Sequence, residues 1–182
     1  MGAPVLAALV AAGYLAQVPV GARPTVEVES LIGAVVIEAG GAGLVSLRAE
    51  VEGDDFAATA TLVAGVLRVR SGCAQDRCGR GSVKLFLRVP PESAVRVFGV
   101  ASAVTVSGVR GPLLVETIAG DVHVRGAGPM VQAFAEAGRV RVEPGGVPVW
   151  RMARRWLLRV LTGLRRPAPR ASCRESAARD LL

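Results

Sequence analysis

Apolar–polar–apolar triplets recur along the middle of the chain. Val95-Arg96-Val97, Leu113-Leu114-Val115 and Val131-Gln132-Ala133 lie 18 residues apart. Val104-Thr105-Val106, Val122-His123-Val124 and Val140-Arg141-Val142 form a second series at the same period, offset by 9. Gly108 and Gly126 follow the second series, with Pro144 in third place. Gly120 and Gly138 precede it, with Ser102 in first place. Alternation over each triplet predicts half-buried strands, and the glycines predict tight turns between them. Two strands per 18 residues predict an all-β fold, a β-solenoid or β-helix-like stack of two-strand coils over residues 23–146. The competing arrangement is an antiparallel sandwich in which the spacing is coincidence.

The earlier part keeps the spacing less strictly. Val26-Glu27-Val28 precedes Val35-Val36-Ile37 by nine residues, and Leu44 follows Val26 by 18. The phase then breaks. Residues 65–70 and 82–89 read as further strands, the second ended by Pro90-Pro91.

Within this run, Val115-Glu116-Thr117-Ile118-Ala119-Gly120-Asp121-Val122-His123-Val124 carries a G-D-V-x-V motif. The chain here resembles the bacterial putative-adhesin domain of unknown function, in the auto-transporter-adhesin-like head domain group. Members carry tandem copies of that motif after a signal peptide, and an earlier Leu-rich strand ending in Pro, as in residues 85–91 here. The resemblance covers about residues 24–144. It implies a solenoid that is exported and has no established enzymatic activity. Two of the three motif positions depart from it, reading Ser102-Ala103 and Gly138-Arg139.

Residues 3–20 carry no charge. Ala, Gly, Gln17 and Pro19 make them a poor transmembrane span. Small residues at Val20-Gly21-Ala22 suit a peptidase site, so residues 1–22 are expected to be a signal peptide or apolar leader. The alternative is a buried N-terminal helix of a cytosolic protein; the alternative location is cytoplasmic, membrane-associated.

Charge changes the picture only at the C-terminus. Residues 1–148 carry 13 Lys/Arg and 13 Asp/Glu, whereas residues 149–182 carry 9 Arg and 2 acids. The net charge of +7 therefore belongs to the tail and is no argument for nucleic-acid binding by the main domain. Residues 147–166 predict a basic amphipathic α-helix. Arg151, Arg154, Arg155, Arg159, Arg165 and Arg166 fall within an arc of about 140° at ~100° per residue. Trp150 and Trp156 lie on the apolar side. Such a helix could cap the open end of the stack, over Val140 and Val142, or lie on an anionic membrane surface or envelope polymer. Residues 167–182 are expected to be a flexible tail. The open ends of a solenoid also admit self-association. No nucleic-acid partner is expected.

Candidate chemistry is sparse. Alternation points His123 outward, between Thr105 and Arg141, and it reads as an exposed spectator. The carboxylates are scattered, and the outward series Arg96, Thr105, Leu114, His123, Gln132, Arg141 contains no acid. A glycan-processing enzyme needs paired acids and is disfavoured. No catalytic, cofactor or metal residue is expected. Cys73 and Cys78 bracket a loop between two strands, and their spacing fits neither zinc nor a redox C-x-x-C site. A loop-closing disulfide is expected, in keeping with export. The expected function is a non-enzymatic cell-envelope module, an adhesin or scaffold, in the periplasm or envelope. The alternative is a membrane-surface accessory protein acting through the Arg-rich helix.

Overall fold

Val-rich alternation runs through twelve strands of one mixed sheet. The computed structural model describes residues 6–10, 15–41, 43–74 and 80–144. The strands are β1 (Leu6–Val10), β2 (Leu15–Pro19), β3 (Thr25–Ala39), β4 (Leu44–Glu52), β5 (Phe56–Val63) and β6 (Val66–Cys73). They continue as β7 (Ser82–Val89), β8 (Ala94–Ser107), β9 (Leu113–Ala119), β10 (Val122–Ala127), β11 (Val131–Ala137) and β12 (Val140–Pro144). Among the described residues there is no helix.

β3 and β8 are long enough to serve two walls. Residues 25–30 of β3 pair with β6 and with the first half of β8. Residues 33–39 pair with β7 and with the second half of β8. Wall one thus runs β1-β5-β6-β3-β8-β9-β11, and wall two runs β2-β4-β7-β3-β8-β10-β12. Inward residues of both walls make one core, which includes Val26, Val28, Val35, Ile37, Leu67, Leu85, Val104 and Val122. β-branched side chains fill a pleated, two-faced interior well, so few aromatics are needed.

The expected stack of two-strand coils is not what forms. Four pairings are antiparallel, namely β1–β5, β2–β4, β4–β7 and β5–β6. Leu44 does not lie beside Val26. It opens β4 in wall two, while Val26 pairs with Leu67 and Val95. Turn chemistry explains the difference at β5–β6. Val63 pairs with Val66, and the two residues between them, Ala64 and Gly65, both have positive φ, 49° and 80°. That two-residue turn sends the chain back along the same wall instead of across to the other.

Parallel neighbours at 18 residues occur only from residue 94 onward. Val104 pairs with Val122 and Val122 with Val140, while Val95 pairs with Leu113 and Leu113 with Val131. The glycines at this period have a steric cause. A Cβ on Gly120 (φ +138°) would lie 2.2 Å from the Ser102 carbonyl oxygen, and one on Gly138 would lie 2.1 Å from that of Gly120.

Ser102, which replaces glycine in this series, joins a buried hydroxyl ladder. Ser71 Oγ donates to Ser30 Oγ (3.2 Å), and Ser30 Oγ meets Ser102 Oγ (2.9 Å). Ser30→Ala would leave Ser71 Oγ without its partner, while Ser102 Oγ keeps its bond to the Ser30 backbone carbonyl at 3.3 Å. It is expected to cost about 1–3 kcal/mol in urea unfolding. Wild-type stability in that variant would refute the ladder's role.

The range expected as a leader contributes two strands. Ala16 and Val18 are buried in the core, and the Val20 amide donates to the Gly43 carbonyl at 2.9 Å. The expected C-terminal helix and flexible tail lie outside the described residues.

Candidate functional site

Alternation turns every second residue of wall two outward, and strand register lines these residues up in rows. One row reads Arg48, Phe86, Val36 and continues through Thr105, His123 and Arg141. The adjacent row reads Gln17, Ser46, Arg88, Glu38 and continues through Ser107, Arg125 and Glu143. The β2-to-β3 end of the two rows forms an open groove of about 440 Å³.

The surface lining the groove is mostly apolar, with polar heads along one side. Phe86 and Val36 form its floor beside the polar row. The Arg48 guanidinium sits over the Phe86 ring, 5.9 Å from its centroid, and is held by Glu50 at 2.8 Å. Arg88 Nη2 and Glu38 Oε2 stand 3.9 Å apart, beyond hydrogen-bond reach.

The other end of the same rows holds a charged cluster. His123 Nε2 lies 3.2 Å from Glu143 Oε1, and Arg125 Nε points at the same ring nitrogen from 3.1 Å. That nitrogen can donate to Glu143 or accept from Arg125, but not both at once. Arg141 Nε lies 3.0 Å from Glu143, and Arg125 Nε 3.5 Å. The Glu143 carboxyl is held below its ordinary range, first by the His123 hydrogen bond; desolvation, the next largest effect, opposes this, and the Arg125 and Arg141 charges then add to the lowering. Among the described residues no serine or cysteine hydrogen-bonds His123, and no group of three or more His, Cys, Asp or Glu could hold a metal.

Wall one's outer face carries paired charges instead. Arg68 and Arg96 flank Glu27 at 3.0 and 3.8 Å, and Arg70 meets Glu29 at 2.9 Å. Such exposed pairs contribute about 0–1 kcal/mol each.

The sequence-derived candidates fall elsewhere. Cys73 ends β6 and is disulfide-bonded. Its expected partner Cys78 lies outside the described residues, as do Trp150, Arg151, Arg154, Arg155, Trp156, Arg159, Arg165 and Arg166. The outward placement of His123, Thr105 and Arg141 agrees with their register. Sequence reasoning overlooks Glu143, although the 18-residue spacing puts it opposite Arg125. It also overlooks the groove, whose residues come from four strands with no common spacing.

Comparison with known proteins bears on the architecture. The chain is similar in fold to a putative cell adhesion protein from Clostridium sporogenes. The TM-score is 0.52 at 8% identity, over 68% of each chain. At that identity the likeness concerns the fold alone. No protein-family profile matches the chain, and no curated protein matches it.

Proposed function

We propose that the chain is a non-enzymatic binding module of the bacterial cell envelope, an adhesin or scaffold. The observation that carries this reading is the outer face of wall two. There the sheet presents Phe86 and Val36 beside a polar row, and among the described residues no serine or cysteine hydrogen-bonds its histidine. The fold likeness to a protein named for cell adhesion supports the same reading. Strand-borne side chains keep their spacing without a bound ligand, which lowers the ordering cost of binding. Export fits the disulfide at Cys73, since such bonds persist in oxidising compartments. The Cys73–Cys78 pairing closes the loop between β6 and β7.

Fractionation of host cells should find the chain in the envelope, and cells lacking its gene should attach less to surfaces. Recovery wholly from the cytosol, with attachment unchanged, would overturn the reading. Envelope recovery that depends only on residues 149–182 would favour a membrane-surface accessory protein instead.

A further inference from the structure

We propose that the groove on wall two binds a neutral glycan, with a pyranose ring seated on Phe86 and Val36. The proposal rests on the binding-module reading and names its ligand class. Phe86 and Val36 stand opposite each other in the β7–β3 register, so their side chains form one continuous apolar floor. The CH-rich face of a pyranose packs on such a floor by burying apolar area against the aromatic ring, and seating it there requires the exposed Arg48 guanidinium to swing off the Phe86 face.

The polar row beside the floor supplies what the ring's edge needs. Gln17 offers an amide, Ser46 a hydroxyl, Arg88 donors only and Glu38 acceptors only. Each sugar hydroxyl both donates and accepts, so a row of mixed donors and acceptors matches it better than a row of one kind. Arg88 and Glu38 form a long ion pair at 3.9 Å, with no direct hydrogen bond between the heads. Adjacent hydroxyls can bridge them, one accepting from Arg88 and the next donating to Glu38.

Charge favours a neutral sugar over an acidic one. Arg48 is already neutralised by Glu50 at 2.8 Å. An anion seated near Arg88 would face the Glu38 carboxylate as well. Size fits a short run of linked rings. About 440 Å³ lies within the range of roughly 300–1,000 Å³ for small-molecule sites. The rows cross four strands, roughly 14 Å in all, and the groove is open at its ends.

The test is calorimetry of the full chain against cellohexaose, maltohexaose and mannohexaose, with hexagalacturonate as the acidic comparator. At least one neutral hexasaccharide should bind, with a Kd of about 0.1–1 mM. Phe86→Ala should weaken that binding about tenfold. Glu38→Gln should weaken it several-fold at an unchanged melting temperature, because Glu38 lies on the exposed face. Failure of all three neutral sugars at about 5 mM, or unchanged affinity in Glu38→Gln, would overturn the proposal. So would tighter binding of hexagalacturonate that fades with salt. Surface attachment separates this from the broader reading. Attachment that no neutral glycan competes for would sink the glycan site and leave the module standing. Attachment that is unchanged in cells lacking the gene would sink the module itself.

Discussion

Val122→Asp is expected to abolish cooperative folding at neutral pH. Val122 is 1% exposed and lies between Val104 and Val140 in parallel register. The substitution forfeits about 1.5–3 kcal/mol of apolar burial. It also places a carboxylate among apolar side chains, between Val104 and Val140. Burying that charge costs several kcal/mol more, or forces the carboxyl to stay protonated. Total stability of a domain this size is only about 5–15 kcal/mol. The pH dependence has a definite sign. Burial raises the folded-state pKa of the new carboxyl above its unfolded value. Folding should therefore be partly recovered as pH falls and lost as pH rises through the raised value. The next residue is the control. His123 points outward with its side chain 25% exposed. His123→Ala should change stability by only about 0.5 kcal/mol. Thermal melts of both variants at pH 7 and pH 4.5 give the answer. A Val122→Asp protein melting like wild type at pH 7 would refute the inward placement of this row.

This contrast marks what a period can and cannot reveal. From residue 94 onward, a residue's neighbour in the next strand of the same wall is 18 positions along the chain. A local repeat therefore gives both strand and register. Elsewhere the partners are remote. Val26 lies beside Val95 and Leu67, and Leu47 beside Leu87. Alternation states which face a residue takes, but not which strand it meets. Partner choice is settled by core closure and by turns such as Ala64-Gly65, which a triplet count does not weigh. The site follows the same rule. His123 was legible as outward because its own strand alternates. The groove needs β2, β4, β7 and β3 side by side, and no spacing in the sequence encodes that order. Ser102 shows the converse case. As a lapse in a glycine series it looks like degeneracy, whereas Ser30, 72 residues away, gives it a buried partner.

Residues 1–22 were equally ambiguous, since an uncharged run suits both a leader and an edge strand. Removing them is expected to destabilise the domain by about 3–5 kcal/mol. β2 pairs with β4 over residues 15–19, and β1 pairs with β5 over residues 6–10. Ala16 and Val18, 6% and 5% exposed, would leave the core. The ladder bonds to β4 and the Val20–Gly43 hydrogen bond would go with them. The outer edges of β4 and β5 would then be bare in the same molecule. Bare edges template pairing between chains, so the truncated protein should also associate at micromolar concentration. Alternate side chains of β4 make this worse, because Val45, Leu47 and Ala49 are fully buried and lose part of their cover. The expected outcome in melting and size-exclusion experiments is a lower melting temperature and a shift to larger species. The consequence for export is specific. A mature chain that keeps this fold must begin upstream of Leu15, so N-terminal sequencing of envelope-derived protein should find β2 retained. A chain starting at Arg23 that is monomeric and melts like the full-length protein would show that β1 and β2 are dispensable to the sheet.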